Sequence, residues 1–163
     1  MARFVGKLDF APQDPNYPDE WRLGQDFGFL RDDGVMVIAQ MHGHTDGASV
    51  PRFLWRVVGH PFRRGNRFWA LPHDAGYNGY AVIIDLNAAE VTPEYALDNW
   101  RNSDIVGFIN SADLSRKWWD RTLQQAMVAM NEKRWKRRAV YSAVRLFGWR
   151  SYSKHRGKRE VHG

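Results

Sequence analysis

The chain of 163 residues contains no cysteine, which removes disulfide frameworks, thiolate zinc sites and cysteine nucleophiles at once. The fold must stand on packing alone, and this length suffices for one domain to bury a core without covalent staples. Long apolar runs are also missing. The opening residues MARFVGKLDFAPQ lack the apolar stretch of about 7 to 15 residues that marks a secretory signal. No segment approaches the roughly 18 apolar residues needed to cross a bilayer. A soluble chain with no signal peptide and no transmembrane segment is therefore expected. There is no phosphate loop, no dinucleotide fingerprint and no G-x-S-x-G elbow, which argues against nucleotide-dependent and serine-hydrolase chemistry.

Aromatics and charge asymmetry are what the chain has in plenty. It carries 8 Trp, 9 Phe and 6 Tyr; such side chains serve cores and interfaces alike. The formal charge of +6 hides a division: residues 1–115 sum to −5 and residues 116–163 to +11. A mildly acidic body with a strongly basic C-terminal third points to an anionic neighbour, whether nucleic acid, phospholipid or acidic protein.

The patterning predicts an α+β fold. FVGKLDF alternates loosely, and DFGFLRDDGVMVIAQM reads as two strands joined at Asp32-Asp33-Gly34, with Gly34 supplying the positive φ of a tight turn. A short helix over 50–58 follows from Ser49 as N-cap, Pro51 in the first turn and Gly59 with Pro61 as stop signals. A helix is expected over about 68–77, with Pro72 starting or kinking it. YAVIIDLNAAEV is ambiguous between strand and buried helix, and Thr92-Pro93-Glu94 begins another helix toward Trp100. Two amphipathic helices close the domain. Over 115–131 the stripe is Trp119, Leu123, Ala126, Met127 and Met130; over 133–147 it is Trp135, Ala139, Val140, Ala143, Val144 and Phe147. The expectation is a small N-terminal antiparallel sheet and a bundle of four to five helices, two of them packed near-antiparallel, as one domain over 1–148. Residues 149–163 are expected to form a basic mobile tail.

The stretch ALPHDAGYNGY at residues 70–80 carries the densest chemistry. On a helix His73 and Tyr77, four apart, share a face, while Asp74 points about 100° away. A histidine fixed by a carboxylate is the smallest useful general-base unit. Because adjacent helical residues pair poorly, the orienting carboxylate is expected from elsewhere, leaving Asp74 for another task such as holding a cation. Asp120, at the border of the buried stripe of the 115–131 helix, is the natural orienter. Buried there it needs a partner, and His73, Arg121 or Arg52 are available. The alternative is a purely structural hydrogen-bond network among His73, Tyr77 and Asp120.

Thr45 to Trp55 (TDGASVPRFLW), His73 to Tyr77 (HDAGY) and Ser115 to Gly148 resemble a family of short bacteriophage and prophage proteins catalogued as a domain of unknown function. The resemblance implies a phage context, in a virion or the host cytoplasm, with other virion proteins as partners. Two departures stand out. Trp119 replaces the family's alanine before the second-helix aspartate, and residues 78–114 form a longer connection, expected to be an insertion for docking. The four-residue constellation is also similar to the H-D-x-x-Y helix of phospholipases A2. By that similarity His73 would activate water, Asp74 would hold a divalent cation such as calcium, and Tyr77 and Asp120 would support His73. The cysteine framework of those enzymes is absent.

In HGHTD, His42, His44 and Asp46 alternate, so on a strand they would share one side as metal ligands do. Arg52, Arg137, Arg138, Lys154, Arg156, Lys158 and Arg159 are the expected anion-binding cations. Three functions compete: a His-Asp hydrolase, with or without metal assistance, acting on a lipid ester or peptidoglycan of the host envelope; a non-catalytic tail or head-to-tail virion component; and a nonspecific nucleic-acid binder working through its C-terminal arm.

Overall fold

The computed structural model describes residues 1–11, 21–45 and 64–147. The expected helix over 50–58, Asp46, Arg52 and the tail cations Lys154, Arg156, Lys158 and Arg159 lie outside the described residues. In chain order the strands and helices are β1 (Arg3–Val5), β2 (Trp21–Arg22), β3 (Phe27–Leu30), β4 (Val35–Ala39), β5 (His44–Thr45), α1 (Arg64–Asn78), β6 (Ala81–Asp85), α2 (Leu86–Ala89), α3 (Pro93–Asn99), α4 (Arg116–Ala129) and α5 (Arg134–Phe147). The architecture is α+β, as the patterning predicts.

Four strands form an antiparallel sheet in the order β1-β3-β4-β6, and β2 with β5 forms a separate two-stranded one. The β3–β4 turn is the expected hairpin: Gly34 has φ 82, and the Arg31 N–H donates to the Val35 carbonyl at 2.9 Å. Contrary to expectation the sheet is not confined to the N-terminal part. The ambiguous segment is strand β6, aligned on β4 with Val37 opposite Ile83 and Met36 opposite Ile84. Part of the 78–114 connection is thus core.

Side-chain alternation along β4 explains why VMVIA is apolar throughout. Met36 and Ile38 join Val5, Ile84 and Leu97 under α2 and α3, whereas Val37 and Ile83 join Tyr77 and Trp119 on the other face. A strand covered on both sides has no polar position to spare. Asp85 then caps α2 through the Asn87 and Ala88 N–H groups, Thr92 caps α3 and Ser115 caps α4, each supplying an acceptor for an otherwise orphan donor.

Helix α1 begins earlier than expected and keeps Pro72 in its interior. It runs opposite to α4: Trp69 and Ala70 meet Leu123, Ala126 and Met127, while Tyr77 reaches back to Asp120. The approach is close because residue 76 is glycine; a Cβ there would sit 2.2 Å from the Trp119 ring. Helix α5 folds back on α4, so that Arg145 near its end lies beside Asp120 near the start of α4.

Candidate functional site

Helices α1, α4 and α5 converge on one carboxylate. Asp120 is fully buried. Its Oδ1 accepts the Tyr77 hydroxyl at 2.8 Å and faces His73 Nε2 at 3.3 Å, and its Oδ2 accepts Arg145 Nη1 at 3.0 Å. His73 and Tyr77 present adjacent rings, with centroids 4.0 Å apart, as four-residue spacing on a helix dictates. The three residues expected to cooperate are therefore brought together, with Asp120 at the centre.

Two expectations about this cluster need correction. Asp74 does not leave the histidine: it is buried, and its Oδ1 lies 3.5 Å from His73 Nδ1. The neighbour rule concerns Cβ directions, and a short aspartate beside a ring of the imidazole's reach can still meet it edge on. Nor does Arg121 neutralise Asp120. It is exposed on α4, and Arg145 of α5 does so instead. The sequence signal for Arg145 was slight: it is the lone cation among the apolar residues AVRLF, at a boundary position where its stem packs and its head can reach inward.

The electrostatics follow from the geometry. Burial by itself lowers the basicity of His73, but hydrogen bonding and charge from Asp120 and Asp74 outweigh it and raise the pKa above the ordinary 6.5. Burial likewise opposes ionisation of Asp120, yet contacts from His73, Tyr77 and Arg145 hold its pKa below the ordinary 3.8. Among the described residues His73 and Arg145 thus face Asp74 and Asp120 in a desolvated space. The bonds to Asp120 from Tyr77 and Arg145 are short, whereas both imidazole contacts are long. The imidazole is the least tightly held member.

Calcium takes six to eight oxygen ligands; among the described residues no group of three or more His, Asp or Glu could hold a metal, and Asp74 Oδ1 lies 3.5 Å from His73 Nδ1. In HGHTD His42 does not share a strand with His44: its φ is 70, which puts it in a turn ahead of β5 (His44–Thr45). Arg137 and Arg138 belong to the first half of α5; Arg138 is exposed, and none of their contacts among the described residues reaches the cluster.

No curated protein and no solved structure matches the chain. A family model matches residues 21–144, a span that includes the 78–114 connection and His73, Asp74, Tyr77 and Asp120. By that match the chain belongs to the family described as "Protein of unknown function (DUF1353)".

Proposed function

We propose that the chain is a phage-encoded hydrolase of the host envelope, cutting a lipid ester or a peptidoglycan bond with His73 as general base. One observation carries the reading: His73 of α1 faces a carboxylate of α4 that Tyr77 and Arg145 hold in place. In the neutral imidazole Nε2–H donates to Asp120, which fixes the tautomer, and Nδ1 is the base once water displaces its long 3.5 Å contact with the Asp74 carboxylate. Nδ1 takes a proton from water as the water oxygen adds to the substrate carbonyl. The same proton then passes to the leaving oxygen or nitrogen as the old bond breaks. Asp120 stabilises the transient imidazolium without itself taking the proton. A buried ionic cluster is costly compared with apolar packing of the same volume, and perturbed titratable groups gather at functional sites. Turnover requires that Nδ1 become reachable, since His73 is 2 % exposed.

That burial favours a second reading, a non-catalytic virion component in which the cluster only fixes how three helices meet. Docking would then use exposed apolar residues such as Trp135, Leu146 and Phe147 beside the basic residues of α5.

The readings separate on release of fatty acid or glycan fragments from isolated bacterial envelopes by the purified protein. The hydrolase reading expects release, reduced about 100-fold or more in a folded His73→Gln variant. It also expects the rate to climb as pH rises above 6.5, because the raised pKa keeps the base protonated below that. Equal release by both proteins, or none by either, leaves the structural reading.

A further inference from the structure

Among the cluster residues only Arg145 reaches solvent appreciably: its side chain is 36 % exposed while that of Asp120 is 0 %. Its one contact with the cluster uses Nη1, and a guanidinium has five N–H donors. Arg116, the first residue of α4, lies against it and donates from Nη2 to the Arg145 carbonyl at 3.1 Å. The other terminal nitrogen of Arg116, Nη1, is buried and has no hydrogen-bond partner among the described residues. Such a buried donor is expensive to leave unpaired. The charge count points the same way. Among the described residues His73 faces Asp74 and Asp120 and Arg145 pairs with Asp120, whereas no carboxylate pairs with Arg116. It also sits in the first turn of a helix, where the backbone dipole adds further positive potential.

We infer that Arg116 and Arg145 form an anion subsite beside the His73–Asp120 cluster, which takes a phosphate group, either a lipid headgroup or a soluble phosphate. The planar fork of a guanidinium suits phosphate oxygens in pairs, and the solvent-facing donors of Arg145, with the Arg116 fork against its main chain, would hold such a group at the outer edge of the cluster. In the hydrolase reading the same group would belong to the substrate and orient its scissile bond, but the subsite stands on its own geometry and its test needs no turnover.

The full chain is titrated with inorganic phosphate at constant ionic strength, following the melting temperature and the Trp fluorescence. Wild type and His73→Gln are both expected to show a saturable response. Arg116→Gln, which gives up one hydrogen bond to a main-chain carbonyl, is expected to bind roughly tenfold or more weakly. Arg134→Gln, a change to an exposed cation at the start of α5, is expected to match wild type. Vesicles of phosphatidylglycerol, with phosphatidylcholine for comparison, identify the source. Sedimentation with the anionic vesicles that phosphate competes away supports the subsite with a lipid headgroup as occupant; phosphate binding without vesicle binding supports it with a soluble phosphate. An unsaturable response, or one equal in wild type and Arg116→Gln, overturns it. Loss of envelope hydrolysis with phosphate binding intact would sink the catalytic reading alone.

Discussion

Two carboxylates in this molecule have similar partners and opposite settings. Asp26 accepts the Met41 N–H at 2.6 Å, the Trp100 indole at 2.8 Å and Arg101; Asp120 is contacted by Tyr77, Arg145 and His73. Both are held below the ordinary carboxylate pKa, each against burial. Asp26, however, lines an open cleft of about 420 Å³ on the α3 side of the sheet, together with Lys7, Asp98 and Arg101. Water can replace its partners there. Asp120 has helices around it and no such substitute. The number of donors does not tell how much a carboxylate matters; what matters is what would remain if a partner left.

The sharpest way to break the comparison is to delete each carboxylate. Asp120→Ala strands His73 and Arg145 against each other and should cost about 3–5 kcal/mol in denaturant unfolding. Asp26→Ala leaves donors that water can reach and should cost about 1–2 kcal/mol; equal losses would mean that burial is not the deciding variable. Removing only the Tyr77 hydroxyl, as Tyr77→Phe, keeps the ring and deletes one donor to Asp120, for about 1 kcal/mol. Arg101→Gln should cost less than about 1 kcal/mol, and little at high salt, because that pair is exposed.

Acid and alkali refine the comparison without removing an atom. The raised pKa of His73 means that its contribution to stability is fully present below pH 6.5 and fades as pH climbs through the folded value. The lowered pKa of Asp120 gives a contribution present above pH 3.8 and lost as pH falls through its folded value. The cluster therefore stabilises most between those two limits. Asp26 shares the acid limb but has no part in the alkaline one. Stability measured against pH should lose its alkaline limb in His73→Gln and keep it in Asp26→Ala; retention of that limb in His73→Gln would remove His73 as its source.

Much of this fold was legible because local signals agreed with tertiary needs. Gly34 between two apolar runs, Thr92 at the start of α3, and the stripes of α4 and α5 each specify their element within a few residues of chain. The pairing of His73 and Tyr77 with Asp120 was legible too, since helical spacing aligns the first two and a carboxylate bordering an apolar stripe must be answered. β6 was not legible. Five residues, AVIID, carry no period that separates a strand from a buried helix, and only the open edge of β4 decides between them. Arg145 was equally hidden, because a lone cation on an amphipathic helix looks the same whether its head meets water or a buried carboxylate.

The sequence by itself determined the β3–β4 hairpin and the helices α3, α4 and α5, that His73 and Tyr77 would share a face, and that the basic charge would gather on the last helices. These follow from spacing, capping and composition, which act within a few turns of chain. Only the tertiary structure decided that Asp74 stays with His73, that Arg145 answers Asp120 and that Arg116 is left with a buried donor unpaired. Each of those depends on how three helices approach one another, and the closeness of that approach is set by packing across the molecule, as Gly76 against Trp119 illustrates.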